Sequence, residues 1–376
     1  MNLKNSNDYL VLASACQLVQ GANRSVIIDH RSGTLFFVNG EYASILKEVN
    51  RKPLQIAYSL FDDETSVTFF ENFVDYLLLN NLAFLTDYIE GFPPRLTDDF
   101  EEDGQTKVYN CIIEIDAKYF DTNKMYLLSK NLDNLRCKDI QIRILSHYDN
   151  ELLKSLLHSL QETTVNYIEI HCQSVEKEQI NQIEEILLSN RLISHVFIYG
   201  WPSFYKKEII LNSEDDRFVP IEEGTIYFLK YPFEEGGCCG QILFETLEFG
   251  NLDLHNKLKK TNGCLDRKIT IDRHGNIKNC PSRPEHYGNI EDTSLADTLN
   301  NPDFKKWWYI HKDEIDICRD CEFRYNCTDC RAFLKDSNNI YSKPLKCGYD
   351  PYSNVWEEWS TNILKAKNIV NLTENV

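Results

Sequence analysis

Residues 318–330 read CRDCEFRYNCTDC, a run in which four cysteines are spaced Cys-x2-Cys-x5-Cys-x2-Cys. Three more cysteines flank the run, at Cys264, Cys280 and Cys347. Thiolates this close together usually surround metal, because soft sulfur ligands suit iron–sulfur clusters and zinc. One tetrahedral metal ion takes four ligands, so the seven cysteines of this array predict two metal centres.

Zinc and disulfide bonds are the alternatives to iron–sulfur clusters for this array. Zinc ribbons usually separate their Cys-x2-Cys pairs by about a dozen residues or more, whereas five residues separate the two pairs here. The spacing therefore favours iron–sulfur, and zinc stays the alternative. Disulfides are disfavoured by the odd total of 13 cysteines and by the absence of a signal peptide.

The start of the sequence and its charge bear on compartment and partners. Residues 1–6 are polar and lack the apolar stretch of a signal peptide. No apolar run approaches the ~18 residues that a membrane span needs. We therefore expect a cytoplasmic protein with no membrane partner. The formal net charge of −18 argues against a nucleic-acid partner, because a phosphate backbone needs a basic face.

The cysteine array resembles the SPASM domain, the C-terminal auxiliary-cluster module of peptide-modifying radical S-adenosylmethionine (SAM) enzymes. That family has a Cys…Gly-x4-Cys pair, then a Cys-x2-Cys-x5-Cys-x3-Cys run, then a final cysteine. Cys264, Gly275 and Cys280 fit the first part of this pattern. The run departs by one residue, since only two residues separate Cys327 from Cys330.

This resemblance implies two [4Fe–4S] clusters with interleaved ligands. One cluster would be held by Cys318, Cys321, Cys327 and Cys347, and the other by Cys264, Cys280 and Cys330. Two fully ligated clusters need about eight sulfurs, so either Cys238 or Cys239 would supply the last one. Otherwise one iron is open to water or substrate.

Residues 1–96 read as a small α+β unit. Strands are predicted at Tyr9–Val19, Arg24–Asp29 and Thr34–Val38, helices around Tyr42–Val49 and Phe69–Asn80, and a closing strand at Leu82–Leu85. Three strands followed by helices resemble the RiPP recognition element. This winged-helix-like domain binds the leader peptides of ribosomally made, post-translationally modified peptides (RiPPs).

In that family the leader adds as a strand to the edge of the hairpin and packs on the last helix, a mode that takes its affinity from main-chain hydrogen bonds. Carried over, the edge is Thr34–Val38 or its neighbour. The expected peptide-binding residues are Leu35, Phe36, Phe37, Phe69, Phe73 and Tyr76. A packing domain with no ligand is the alternative.

The middle of the chain predicts an α/β domain. Residues 97–107 form an acidic linker, and residues 108–236 then alternate strands and helices, which predicts βαβ units and a parallel sheet. A partial (βα) barrel, as in radical SAM cores, is the economical architecture, and a doubly wound open sheet would give the same alternation. Residues 237–350 form the predicted SPASM domain, and residues 351–376 a C-terminal tail or helix.

The loop after the first barrel strand lacks the cysteines of a radical SAM enzyme. Such enzymes carry Cys-x3-Cys-x2-Cys there, whereas residues 116–123 read DAKYFDTN and the motif occurs nowhere in the chain. The barrel is therefore expected to be a degenerate radical SAM domain that does not use SAM. Cys111, Cys137 and Cys172 lie in or beside apolar strand patterns, where cysteine is usually a small buried hydrophobe.

The whole chain is similar to the SPASM-domain partner of "grasp-with-spasm" systems, through residues 16–29, 287–290 and 327–331. There the partner accompanies an ATP-grasp peptide ligase and a precursor with a Gly-Gly leader. The resemblance implies a RiPP maturation factor that binds a precursor leader peptide and acts with an ATP-grasp ligase. Two alternatives stay open: a peptide-modifying enzyme that uses the open iron of a cluster, and a structural zinc-binding scaffold. No residue is nominated as catalytic.

Overall fold

The computed structural model describes residues 7–92, 106–116, 119–145, 148–173, 175–210, 223–230, 232–233 and 242–357. They fall into two units. The first unit takes in the described parts of Met1–Glu101, Gln241–Gly263 and Tyr309–Val376, and the second those of Glu102–Gly240 and Cys264–Trp308. Cys238, Cys239, the linker at 97–105 and the tail from 358 lie outside the described residues. The predicted domain bounds stay a prediction.

The N-terminal part of the first unit holds two small sheets and three helices. Its elements are β1 (Tyr9–Leu12), β2 (Cys16–Gln20), β3 (Ser25–Asp29), β4 (Thr34–Val38), α1 (Gly40–Val49), α2 (Leu54–Tyr58), α3 (Glu64–Leu79) and β5 (Ala83–Thr86). Strands β2, β3 and β4 form an antiparallel sheet in that order, and β1 pairs with β5. Gly33 closes the β3–β4 turn at φ +68°, a conformation that glycine adopts without a steric penalty.

This three-stranded sheet is covered on both faces. On one face Ile27 and Val38 join a core with the buried residues of the helices, among them Leu46, Phe70 and Leu77. On the other face Val19, Val26 and Ile28 are buried with packing from Leu35, Phe249 and Tyr325. Residues from distant parts of the chain therefore complete the burial of the N-terminal sheet.

The predicted order of strands and helices in this region is confirmed, with two differences, one of which is the additional short helix α2. The single strand predicted over Tyr9–Val19 is two strands, β1 and β2, because the chain turns at residues 13–15. The Cys16 N–H donates to the Ala13 carbonyl in that turn (2.8 Å), and β1 leaves the sheet to pair with β5. The sequence did not indicate the turn, because the segments on both sides of it are apolar.

The described part of the second unit is built on a sheet of eight strands in the order β10-β11-β9-β8-β7-β6-β12-β13, in which β12 is Lys268–Ile271 and β13 is Ile277–Lys278. The elements are β6 (Asn110–Ile115), α4 (Thr122–Asn134), β7 (Asp139–Ile144), α5 (Asn150–Leu160), β8 (Tyr167–Gln173), α6 (Lys177–Ser189), β9 (Ile193–Tyr199), β10 (Tyr205–Ile210) and β11 (Glu223–Leu229). Of these eight strands, only the edge strands β10 and β13 run antiparallel to their neighbours. The predicted mixed α/β fold with a mostly parallel sheet is confirmed.

The strand order decides between the two architectures that the sequence left open. Strands β6, β7, β8 and β9 are neighbours in chain order, and α4 packs on α5 and α5 on α6. Right-handed crossovers in one direction place their helices on one face of a sheet, whereas a doubly wound sheet reverses its order. The part of the sheet from β6 to β9 is therefore singly wound, as in a partial (βα) barrel.

The remaining elements are short. They are α7 (Leu252–Leu258), β12 (Lys268–Ile271), β13 (Ile277–Lys278), α8 (Leu295–Asn300), α9 (Pro302–Lys305), β14 (Tyr349–Asp350) and β15 (Val355–Trp356). Strands β12 and β13 form a hairpin, with Gly275 at φ +80° in its turn. Strand β12 also pairs in parallel with β6. Among the described residues, no helix is long and apolar enough to span a membrane.

Candidate metal centre and peptide-binding faces

Four cysteines of the array lie close together in the first unit. Short 3₁₀ turns at Cys318–Asp320 and Arg324–Asn326 fold the run back on itself. The pKa of Cys318 is raised to about 11, chiefly by burial, with Lys312 opposing the rise and the neighbouring charge of Cys347 contributing to it. Burial likewise raises the pKa of Cys327 to about 12, with contributions from Cys347 and Cys318. These thiols are thus electrostatic neighbours in an apolar environment.

Cys321 belongs to the same group. Burial raises the pKa of its thiol well above the usual value, and the charges of Cys327 and Cys318 add to that rise. The Phe323 N–H donates to Cys321 Sγ at 3.4 Å. The structure therefore brings Cys318, Cys321, Cys327 and Cys347 together, the four residues assigned to one cluster. Their role as ligands stays a prediction.

Buried charges lie beside these thiols. Lys312, Asp329 and Arg331 are 4%, 4% and 1% exposed. Asp329 accepts from Lys312 Nζ at 3.2 Å and from Arg331 Nη2 at 2.8 Å, and Arg331 Nε lies 2.6 Å from its other carboxylate oxygen. Burial alone would lower the pKa of Lys312, but the charges of Asp329, Cys327, Cys318 and Cys347 raise it well above its usual value. Two cations and one carboxylate leave one buried positive charge.

The formal net charge of +1 on Lys312, Asp329 and Arg331 shows whether the site suits a metal group bound by thiolates. A buried charge is costly unless it is balanced, and a thiolate cluster is anionic. Burial raises the pKa of Cys318, Cys321 and Cys327, so these three thiols resist ionisation, and metal binding removes their protons. Bound metal would therefore offset the surplus positive charge and deprotonate the thiols together. The donor set fits an iron–sulfur cluster.

No three His, Cys, Asp or Glu side chains within the described ranges are arranged to hold a single metal ion. A cluster core holds its four thiolates further apart than one ion does, so this finding is compatible with the grouping above. None of the eleven cysteines that the structure describes forms a disulfide. Cys111, Cys137 and Cys172 are buried in the second unit, and burial raises the pKa of both Cys137 and Cys172 to about 12.

The second predicted ligand set is divided between the units. Cys264 and Cys280 flank the β12–β13 hairpin, and Lys268 Nζ lies 3.5 Å from Cys264 Sγ. Cys280 is buried, and its carbonyl accepts from the Arg283 N–H at 3.2 Å. Cys330 belongs to the first unit. The grouping of Cys264, Cys280 and Cys330 therefore stays a prediction.

The predicted peptide-binding edge is the outer edge of the N-terminal sheet. Among the strands that the structure describes, β4 pairs only with β3. The His30 N–H donates to the Ala15 carbonyl on the β2 side of β3, so alternation directs the main chain of Ile27 toward its β4 partner Phe36. Leu35 and Phe37 consequently direct their N–H and C=O groups to the outer edge.

The six predicted peptide-binding side chains divide between different surroundings. Phe36 makes an edge-on contact with Tyr76 of α3 (ring centroids 6.4 Å apart), and Phe69 and Tyr76 are 57% and 39% exposed. Phe73 is buried and stacks on Tyr42 (4.8 Å). The side chains of Leu35 and Phe37 lie on the other face of the sheet, near Tyr325 and Phe323.

Sequence reasoning did not identify the ion pair of Arg24 and Glu322. Arg24 Nε lies 2.6 Å from Glu322 Oε1, and Glu322 is fully buried. The Arg24 guanidinium also stacks over the Phe37 ring, 4.0 Å from its centre. The sequence shows Glu322 as a charged residue within the cysteine run, but it does not show that its partner is Arg24, almost three hundred positions away.

A polar network on the sheet of the second unit was also missed. Arg143 Nε donates to Gln141 Oε1 (2.6 Å), and Gln141 Nε2 donates to Glu169 Oε1 (2.8 Å). Glu169 is also hydrogen-bonded to His171, whose Nδ1 lies 2.8 Å from the Tyr199 hydroxyl. Alternation of these residues with buried isoleucines places them on the face opposite the helices. The sequence signal was the polar residue at every second position of β7 and β8.

Comparisons with known proteins agree with the cysteine array. The SPASM family model, described as an iron–sulfur cluster-binding domain, matches residues 264–322. None of the curated proteins matches the chain. The predicted SPASM domain is therefore confirmed, and with it an iron–sulfur cluster-binding region.

Two solved structures are among those similar to the chain. Streptococcus suis SuiB bound to S-adenosylmethionine is 11% identical with a TM-score of 0.33, over 89% of this chain and 99% of that one. Streptococcus suis SuiB bound to precursor peptide SuiA is 11% identical with a TM-score of 0.26, over 86% and 96%. Likenesses this distant carry no argument about the activity of this chain.

Proposed function

We propose that this chain is a maturation factor for a ribosomally made peptide, with a leader-binding N-terminal domain and two auxiliary [4Fe–4S] clusters. The observation that carries the cluster assignment is the buried positive charge of Lys312, Asp329 and Arg331 beside four thiols. The SPASM match over residues 264–322 supports it independently. The peptide assignment is supported by the outer edge of β4 beside α3.

The first cluster would be held by Cys318, Cys321, Cys327 and Cys347. When bound, such a cluster supplies one-electron chemistry, and an iron without a protein ligand is a Lewis acid. Lys312 offsets the negative charge of the thiolates, and Asp329 fixes the position of the Lys312 ammonium group at 3.2 Å. Cys264, Cys280 and Cys330, with Cys238 or Cys239 as a fourth ligand, would hold the second cluster.

The leader would extend the N-terminal sheet along β4. The main-chain groups of Leu35 and Phe37 would pair with it, because the register directs them to the outer edge. Side chains of the leader that point toward the helices would contact Phe36, Phe69 and Tyr76, which surround the exposed part of α3. Phe73 supports this surface from within the core.

The chain is proposed to act with an ATP-grasp peptide ligase rather than to cleave SAM. The loop after β6 has no cysteine between residues 116 and 123. It therefore lacks the three thiolates that would hold a SAM-binding cluster. The similarity of residues 16–29 to the SPASM-domain partner of ligase systems supports the choice of partner.

A second candidate function is peptide modification by the chain itself. The network of Glu169, His171 and Tyr199 favours this candidate, since a carboxylate, an imidazole and a phenol in contact can move protons. In that case the peptide would lie against the face of the sheet opposite the helices. A change in the mass of the precursor after incubation with this protein alone would favour modification.

The experiment that tests the peptide assignment is calorimetry with the full-length chain and the leader of the short precursor encoded beside its gene. Binding at micromolar strength, about −8 kcal/mol, is expected. In the Phe69→Ser, Tyr76→Ser double variant, the affinity for the leader should fall at least tenfold, or about 1.4 kcal/mol. Equal affinity of the wild type and the double variant would place the leader elsewhere, and absence of binding to both proteins would reject leader recognition.

A further inference from the structure

A cleft of about 480 Å³ opens beside β2 in the first unit. One wall is β2 with the turn that precedes it, and a second is α1 with Asn50 and Arg51. Lys259, Arg324 and Tyr325 form the third wall. The volume lies within the range of small-ligand sites, about 300–1,000 Å³. The cleft is on the opposite edge of the sheet from β4, so it is separate from the proposed leader-binding edge.

The lining of this cleft is cationic. Among the described residues, its lining includes the four cations Lys47, Arg51, Lys259 and Arg324 and no acidic residue, although the chain has a formal net charge of −18. Asp313 offsets Arg324 through an ion pair of 2.8 Å. The cations of the cleft attract ligands that carry carboxylates, whereas acidic surface elsewhere on the protein repels such ligands.

The lysines are held in place by the strand itself. Lys259 Nζ lies 3.3 Å from the Gln17 side-chain oxygen, and Lys47 Nζ lies 3.4 Å from that of Gln20. Both acceptors are neutral amides of β2, and they fix the positions of the two ammonium groups. Gln17 and Gln20 point to opposite faces of β2, so the two lysines flank the exposed edge from its two sides.

The backbone of β2 offers a partner for an extended chain. The Ala15 carbonyl accepts from His30 on the β3 side, so alternation directs the N–H and C=O groups of Cys16, Leu18 and Gln20 to the outer edge. Arg324 donates to the Gln20 carbonyl at 2.5 Å and closes that end of the edge. Leu18 then supplies one N–H and one C=O in the open part of the cleft.

We propose that this cleft binds an acidic peptide segment in extended conformation. The segment pairs with the main chain of Leu18, and its carboxylates contact Lys47, Arg51 and Lys259. Strand addition supplies main-chain hydrogen bonds, and the cations select for acidic residues. The proposal does not depend on the clusters or on leader binding at β4.

The test uses the full-length chain and a fluorescein-labelled hexapeptide of Glu, which carries carboxylates on both faces of an extended strand, measured by fluorescence anisotropy. A second probe replaces each Glu with Gln, and a third is methylated on alternate main-chain nitrogens to prevent strand pairing. We expect the Glu probe to bind at least about tenfold more tightly than either of the others. Equal binding of the Gln probe or of the methylated probe would overturn the proposal.

Two protein variants complete the test. Lys47→Glu should weaken binding of the Glu probe about tenfold or more, whereas Lys335→Glu, the same charge change at an exposed position outside the cleft lining, should weaken it much less. Equal losses in the two variants would assign binding to overall charge and reject the cleft. Neither substitution affects a buried group, so folding is preserved in both.

Discussion

Arg24, in the turn between β2 and β3, forms an ion pair of 2.6 Å with Glu322, which directly follows Cys321 in the cysteine run. Tyr349 donates its hydroxyl to the same carboxylate oxygen at 2.5 Å. The Arg24 guanidinium also lies over the Phe37 ring, 4.0 Å from its centre, and 5.8 Å from the centre of the Phe323 ring. The proposed leader-binding strand and the proposed cluster ligands are therefore linked through one guanidinium group.

The first prediction concerns this ion pair. Arg24→Ala should lower the free energy of unfolding by about 2–3 kcal/mol, because it leaves the buried Glu322 carboxylate without its cation. Urea unfolding followed by circular dichroism measures the loss. Arg319→Ala is the control, since Arg319 and its partner Asp316 are both well exposed and such pairs contribute about 0–1 kcal/mol. Equal effects of the two substitutions would show that the Arg24 pair is not important.

The second prediction concerns the buried cation beside the cysteines. Lys312→Met retains the volume of the side chain but removes the charge that offsets the thiolates. The reduction potential of the proposed cluster should therefore fall, since potentials depend on the net charge near a cluster. Redox titration followed by electron paramagnetic resonance measures the shift. Lys335→Met, at an exposed position, should leave the potential unchanged, and identical potentials in the two variants would remove the proposed role of Lys312.

The third prediction concerns pH. Burial opposes ionisation of Glu169, but the hydrogen bond and charge of His171 outweigh it and hold the pKa of Glu169 below its usual value. The folded state thus favours the carboxylate, and the resulting stability is present above the unfolded pKa of about 4.3 and is lost as pH falls. The stability difference between wild type and Glu169→Gln should shrink between about pH 5 and pH 3.

Urea unfolding at several pH values measures that difference. Glu178→Gln, on the exposed surface of α6, is the matched control and should follow the wild type at every pH. If the difference in unfolding free energy between wild type and Glu169→Gln is constant over this pH range, His171 does not stabilise the ionised form of Glu169.

The fourth prediction separates the two sides of β4. Phe37→Pro removes an N–H that points to the outer edge, so it should weaken leader binding more than Phe37→Ala, which removes the same ring but keeps the donor. Phe36→Pro should instead destabilise the fold, because its N–H faces β3. Calorimetry and thermal unfolding distinguish these effects. Leader affinity that is equal in Phe37→Pro and Phe37→Ala would exclude pairing at this edge.

Local patterns in the sequence predicted what depends on local physics. Cysteine spacing indicated the SPASM domain, and the predicted strands Arg24–Asp29 and Thr34–Val38 indicated the β3–β4 hairpin, because a short turn joins neighbouring antiparallel strands. Alternation of strands and helices predicted the parallel sheet. Its winding could not be read from the pattern, since a singly wound and a doubly wound sheet have the same order along the chain.

Features that depend on distant pairs were not predictable in the same way. An apolar pattern shows that Val19 and Ile28 are buried but not that Phe249 and Tyr325 cover them. The same limit applies to Arg24 and Glu322, because a charged residue carries no mark of its partner. The cleft beside β2 could not be predicted for the same reason. Its cations Lys47 and Arg51 lie in and just after α1, whereas Lys259 and Arg324 come more than two hundred residues later.

Iron and sulfide analysis of anaerobically purified protein tests the central claim most directly. Two [4Fe–4S] clusters predict about eight irons and about eight sulfides per chain. Cys318→Ala should remove about half of both, whereas Cys111→Ala, a buried cysteine outside the array, should retain all of them. Stoichiometric zinc without sulfide in the wild-type protein would contradict the account and support a structural zinc scaffold instead.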